Sequence, residues 1–217
     1  MSNKKNFVVT ILIAISFFSL MSFKEIVEGQ VVCFGDSITF GGNVNGHSWV
    51  WHLSREHSNI SFINAGRSGR KTSDKEELLP VIEKYHSANY YLIFLGVNDL
   101  KDGNDSMVNN CIANMKWMVG KIRAAVPDAK IIILSPTDIN LKTMSPINVQ
   151  KKYNQNTHQS LIYLNKKYKK LARQENIGFI SLLHSVSKSN YVDGLHPNEI
   201  GQKQIANTVW KRLNKLN

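Results

Sequence analysis

The chain has 217 residues, 42% of them hydrophobic, and a net charge of +11. That suits one compact domain with a core of its own. It shows no repeat, no low-complexity stretch and no Pro/Gly/Ser-rich linker, which argues against a repeat array, a disordered chain or a two-domain protein.

The chain opens with Lys4 and Lys5, then an apolar run from Phe7 to Met21 broken only by Thr10, Ser16 and Ser19. A short cationic region before an apolar core reads as an export signal. The run is short for a spanning helix, which takes about 20 apolar residues. Residues 1–29 are therefore expected to be a signal peptide or an N-terminal membrane anchor, with the mature domain spanning 30–217. The expected location is periplasmic or secreted, with membrane association through this segment as the alternative.

Downstream, short apolar runs alternate with amphipathic stretches. Gln30 to Phe34, Ile60 to Asn64, Tyr90 to Leu95, Lys130 to Leu134 and Ile177 to Ile180 read as strands. Trp49 to Glu56, Ser73 to Tyr85, Asn104 to Val126, Val149 to Gln174 and Glu199 to Leu216 read as helices. Runs such as Ile131-Ile132-Ile133-Leu134 suit strands covered on both faces. The alternation predicts an α/β fold: a three-layer α/β/α sandwich, flavodoxin-like, around a central parallel sheet of about five strands.

Four blocks carry the chemistry: Gly35-Asp36-Ser37, Asn64-Ala65-Gly66-Arg67-Ser68-Gly69, Gly96-Val97-Asn98-Asp99 and Asp193-Gly194-Leu195-His196-Pro197. The first three each follow a predicted strand. Sites in open parallel sheets form outside the carboxyl ends of the strands, so distant blocks should meet at one edge. Ser37 is the candidate nucleophile, against the plainer role of a helix-capping serine. His196 is the candidate general base, placed before Pro197 at the expected start of the last helix. Asp193, three residues earlier, is within reach of the other imidazole nitrogen; a backbone carbonyl or water is the alternative orienting group. His52, His57 and His86 read as surface or packing residues. Asp36 reads as a turn-tying residue and Asp99 as a brace for its loop. Donors for an oxyanion are the Ser37 N–H, a glycine N–H from Gly66 or Gly69, and the Asn98 amide.

In order and wording these blocks resemble the SGNH (GDSL-type) hydrolases, from about Val31 to the C-terminus. The resemblance implies a catalytic set of Ser37, Asp193 and His196, and an oxyanion hole of Ser37, Gly69 and Asn98, which chooses Gly69 over Gly66. It implies a serine esterase with no cofactor and no metal. The expected substrate is a small-molecule, carbohydrate or lipid ester, with release of short acyl groups from carbohydrates placed first. A lysophospholipase or acyl thioesterase acting on longer chains is the alternative, as is a non-catalytic carbohydrate- or lipid-binding module on the same scaffold. Acyl transfer to another alcohol would use the same residues.

The remaining features are less specific. Trp49, Trp51 and Phe62 are candidates for an apolar groove or for the core. The segment from Asp138 to Asn148 is expected to wall the pocket, as a lid or by packing. Cys33 and Cys111 show no disulfide spacing and read as buried thiols. About +10 of the charge lies beyond residue 29, much of it in Lys142, Lys151, Lys152, Lys166, Lys167, Lys169, Lys170 and Arg173. A solvated face is the plain reading and attraction to an acidic lipid or polysaccharide surface the functional one. No nucleic-acid recognition motif accompanies the charge.

Overall fold

The computed structural model describes residues 29–215. The segment read as a signal or anchor lies outside the described residues. Five strands form one parallel sheet in the order β2-β1-β3-β4-β5. They are β1 (Gln30–Gly35), β2 (Ser61–Gly66), β3 (Tyr90–Phe94), β4 (Lys130–Leu134) and β5 (Gly178–Ile180). Seven helices accompany them among the described residues: α1 (Ser37–Phe40), α2 (Trp49–Glu56), α3 (Leu78–Lys84), α4 (Asp105–Ala125), α5 (Pro146–Gln150), α6 (Gln155–Gln174) and α7 (Glu199–Leu213). This is the expected three-layer, flavodoxin-like sandwich.

The layers follow from the two-residue period of a strand. Val32, Phe34, Tyr91, Ile93, Ile131 and Ile133 point to one face and join the core built by α3, α4 and α6. Their alternate neighbours Val31, Cys33, Leu92, Phe94, Ile132 and Leu134 point to the other, against α2 and α7. Both faces are dry, so the central strands read as continuous apolar runs rather than alternating ones. Trp49 and Phe62 belong to the second core and are buried, so they line no acyl groove. Cys33 and Cys111 are free and buried.

Two predicted helices differ in outline. The stretch read as one helix from Val149 to Gln174 is two, α5 and α6. Lys152 between them takes φ +66°, and the Asn154 side chain accepts from the N–H groups of Asn156 and Thr157 to start α6 afresh. The helix read over Ser73 to Tyr85 begins as a 3₁₀ segment, Thr72–Glu77, and turns α-helical at Leu78. At the last helix Asn198 is the cap, its side-chain Oδ1 accepting from Gly201 N–H. Pro197 instead pairs with Tyr191 in an isolated antiparallel bridge.

The sheet order places the topological switch at β1, with β2 on one side and β3 on the other. The crevice beyond the carboxyl ends of β1 and β3 is where such sheets bind ligands. Among the described residues no helix is long and apolar enough to cross a membrane.

Candidate active site

Ser37 is the first residue of α1, immediately after β1. Its turn is tied by Asp36, whose carboxyl oxygen accepts from Ile38 N–H at 2.9 Å. Helix α1 is held on several sides. Gln202 of α7 donates to the Ile38 carbonyl at 3.1 Å. Asn64 of β2 donates to the Thr39 carbonyl at 2.8 Å. At Gly66 the backbone of β2 passes so close to α1 that a Cβ would lie 2.4 Å from Phe40 N. The serine is thus presented by a short helix clamped between β2 and α7.

His196 and Asp193 arrive on the loop after β5. The loop is pinched by the Tyr191–Pro197 bridge and by Val192 N–H donating to the His196 carbonyl at 2.8 Å. The 138–148 segment grips it from outside. Asn140 N–H donates to the Gly194 carbonyl at 2.7 Å, Ser145 N–H to the Asp193 carbonyl at 3.0 Å, and the Asn148 amide to that same carbonyl at 3.1 Å. Gly194 takes φ +79°, and a Cβ there would sit 2.6 Å from the Met144 Cα. The segment expected to wall the pocket therefore does so only through Asn148; the rest of it serves as a clasp on the histidine loop. Its Leu141 and Ile147 are exposed, whereas Met144 packs against the core.

The three side chains form a chain of hydrogen bonds. Ser37 Oγ lies 3.0 Å from His196 Nε2, and His196 Nδ1 lies 2.9 Å from Asp193 Oδ2. The other Asp193 oxygen accepts from the backbone N–H groups of His196 at 2.8 Å and Leu195 at 3.1 Å. Burial alone would raise the Asp193 carboxyl. The hydrogen bonds from the His196 ring and from these two N–H groups outweigh burial and hold it far below the usual carboxylate range. A carboxylate on Nδ1 keeps the proton there and leaves the Nε2 lone pair facing the serine hydroxyl.

The donors gather around the same point. Ser37, Ser68, Gly69, Asn98 and His196 share one cavity of about 240 Å³. The N–H groups of Ser37 and Gly69 donate to no other acceptor among the described residues. Gly69 takes φ +76° with open space around the position of a Cβ, so backbone conformation rather than crowding calls for glycine there. Gly66 serves close packing on α1 instead. The Asn98 amide is fixed from both ends: its nitrogen donates to the Arg70 carbonyl at 3.1 Å, and its oxygen accepts from the Tyr153 hydroxyl at 2.8 Å. One amide hydrogen is left for the cavity. Asp99 accepts from Thr72 N–H at 3.0 Å and from its hydroxyl at 2.6 Å, which fixes the loop under Asn98.

Sequence reasoning missed two supporting residues. Tyr153 sits in the break between α5 and α6, a stretch that reads from the sequence as continuous helix. Arg70 is buried and donates to the carbonyls of Gly35 and Ala65, each at 2.6 Å, with its guanidinium 4.1 Å above the Phe34 ring. It clamps the ends of β1 and β2 while its own carbonyl positions Asn98. The Gly-Arg-Lys wording around it carries no signal of burial.

A family model described as the GDSL-like lipase/acylhydrolase family matches residues 33–204. The chain belongs to that family. As a GDSL-like acylhydrolase it is an ester-bond hydrolase. It is 24% identical over 206 residues, covering 92% of this chain and 90% of the relative, to thioesterase 1/protease 1/lysophospholipase L1 of Escherichia coli strain K12. Its fold is similar to that of Est24, a carbohydrate acetylesterase from Sinorhizobium meliloti. The TM-score is 0.74 at 19% identity, over 88% of this chain and 100% of that one. A lipase/acylhydrolase from Enterococcus faecalis is also similar, with TM-score 0.67 at 22% identity over 86% and 96%. Among the described residues of this GDSL-like enzyme, no group of three or more His, Cys, Asp or Glu side chains is arranged to hold a metal ion.

Proposed function

We propose that this chain is a serine esterase that removes short acyl groups, acetyl first, from carbohydrate-type esters, using Ser37, His196 and Asp193. The observation that carries the reading is the unbroken line Asp193–His196–Ser37 opening on a cavity shared with Gly69 and Asn98. In the first step His196 Nε2 takes the Ser37 proton while Oγ bonds to the acyl carbon. The anion that develops on the carbonyl oxygen faces the Ser37 and Gly69 N–H groups and the remaining Asn98 amide hydrogen. The C–O bond to the alcohol then breaks, and the proton on His196 goes to the leaving oxygen. Water, deprotonated by the same imidazole, attacks the acyl-serine and releases the acid.

Cavity size favours a small acyl group. A cavity of about 240 Å³ is below the range of roughly 300 Å³ and more typical of pockets for drug-sized ligands. Asn43, Ser68 and Asn148 join the catalytic groups in lining it, although more of the exposed lining is apolar than polar. Of the aromatic candidates for a long groove, Trp49 and Phe62 are inside the core, and Trp51 is exposed, stacked on His47 and not part of the cavity lining. The apolar run at 7–21 fits export to where acylated polysaccharides are found, and is part of this reading.

Hydrolysis of p-nitrophenyl esters from acetate to dodecanoate, by the wild-type enzyme and by Ser37→Ala, tests it. Serine-dependent kcat/KM falling beyond butyrate is the expected result. A rise toward octanoate and longer would replace the acetylesterase reading with a lysophospholipase or thioesterase one. Hydrolysis that survives Ser37→Ala would remove Ser37 as nucleophile.

A further inference from the structure

The cavity mouth carries a charge that ester hydrolysis itself does not use. Lys101 and Lys151 line the same cavity as Ser37 and His196. Lys101 is half-buried, with its Nζ 5.4 Å from the centre of the Tyr153 ring. Its amine is held below the usual lysine value by burial first, then by repulsion from Lys71 and Lys151. Among the described residues no carboxylate forms an ion pair with Lys71, Lys101 or Lys151. The carboxylates nearby are already committed. Asp99 is turned inward onto Thr72, Asp193 is spent on His196, and Asp74 and Glu77 are paired with Arg67 and Arg70. Asp99 offsets part of the Lys71 charge, but the repulsion between Lys101 and Lys151, which have no ion-pair partner among the described residues, costs free energy that an anionic ligand between them would relieve.

We infer that the natural substrate carries a negative charge on its alcohol side, close to the esterified hydroxyl, and that Lys101 and Lys151 select for it. This inference rests on the esterase reading above and names its substrate class: an O-acylated acidic saccharide, with a ring carboxylate between the two ammonium groups. The small volume of the cavity, about 240 Å³, leaves little room for the acyl chain of a lysolipid and favours a sugar as the carrier of that charge. One half-buried and one exposed lysine–carboxylate contact together correspond to a preference of about tenfold. Surface ion pairs are screened over about 8 Å at physiological salt, so the preference should shrink as salt is raised.

The test compares kcat/KM on mono-O-acetyl glucuronic acid and mono-O-acetyl glucose, which differ at C6, for the wild type and for K101Q/K151Q. The wild type is expected to prefer the uronate by about tenfold at low salt. The ratio should fall toward one in the double variant and at high salt, and persist in K101R/K151R. Equal rates on the two sugars in the wild type would overturn the inference. So would an equal loss on both sugars in K101Q/K151Q, which would make the lysines props for Tyr153 and Asn98. If the double variant fails to fold by circular dichroism, the exposed K151Q alone decides, with a smaller shift in the same ratio. A further arm uses acetyl glycerol 3-phosphate against acetyl glycerol. A charge preference seen only there would overturn the saccharide in favour of a phosphate-bearing substrate. Loss of all Ser37-dependent hydrolysis, p-nitrophenyl acetate included, would be the separate failure of the esterase reading.

Discussion

At the scale of single residues, the site depends on groups that touch no substrate. Tyr153 holds the Asn98 oxygen at 2.8 Å, and the Arg70 carbonyl takes one of the amide hydrogens. In the proposed mechanism the amide would therefore meet the developing anion without having to reorient. Asn98→Ala is expected to lower kcat by about 10²–10³, as for loss of one oxyanion donor. Tyr153→Phe removes only the restraint. A hydrogen bond worth about 1 kcal/mol corresponds to roughly fivefold in kcat, with KM little changed. The two losses should be strongly non-additive, because the tyrosine acts through the asparagine. Steady-state kinetics of both single variants and the double variant check this; additive losses would separate Tyr153 from Asn98. Neither Tyr153 nor Arg70 was legible in the sequence. Tyr153 lies in what reads as a helix, and Arg70 reads as a surface cation. Their roles depend on contacts between segments far apart in the chain, which local patterning does not encode.

Secondary-structure elements carry a different kind of information. The five strands were readable because apolar runs flanked by polar turns are a strong local signal, and α2 coincides with its prediction at Trp49–Glu56. The junction between α5 and α6 was not read. Its strongest mark is the cap pair Asn154 and Thr157, which lies inside a stretch whose apolar spacing reads as one continuous helix. Asn154→Ala should cost about 1 kcal/mol, the usual worth of a helix cap, and should be visible as a lower midpoint of urea unfolding. No change in that midpoint would mean that α6 needs no cap. The two glycines of the second block make a sharper contrast. Gly66→Ala drives a Cβ into the backbone of α1, displacing the helix that carries Ser37, so both stability and kcat should fall. Gly69→Ala meets no neighbour, and its cost is the strain of φ +76° alone. Comparable loss of stability in the two variants would contradict this assignment of packing to Gly66 and conformation to Gly69.

For the molecule as a whole, the fold explains why four dispersed blocks converge. A parallel sheet in the order β2-β1-β3-β4-β5 brings the ends of β1, β2 and β3 to one crevice, and the clasp at 138–148 delivers the histidine loop from β5. That convergence could be anticipated from strand–helix alternation, since each of the first three blocks follows a strand. The clasp could not, because its hydrogen bonds, such as Asn140 N–H to the Gly194 carbonyl and the Tyr191 hydroxyl to the Asp138 carbonyl, join segments far apart in the chain. Packing this crevice also buries charge, with consequences for stability against pH. Burial pushes the Asp36 carboxyl from 3.8 up to about 7, against the pull of Ile38 N–H, His196 and Arg70 and with a further push from Asp99. A carboxyl whose folded value lies above its unfolded one binds its proton more tightly in the native state. Its contribution is thus most favourable in acid and declines as pH rises from about 4 to about 7. Asp193 runs the other way: its value is depressed, so its contribution is present at neutral pH and is lost as pH falls below the usual carboxylate range. Asp36→Asn keeps a capping side chain without the ionisation. The melting temperature of that variant relative to wild type should rise between pH 4 and pH 8. A difference that stays flat across that range would mean that Asp36 is ionised in the native protein like any exposed carboxylate.

The central claim is that Ser37 is a nucleophile activated by His196. Its most direct test is covalent. The protein is treated with a fluorophosphonate, which reacts with activated serines, and the adduct is mapped by peptide mass spectrometry. One adduct on the peptide containing Ser37, absent in Ser37→Ala and strongly slowed in His196→Ala, is the predicted result. An adduct on another serine, or ester hydrolysis that continues while Ser37 stays unmodified, would contradict it.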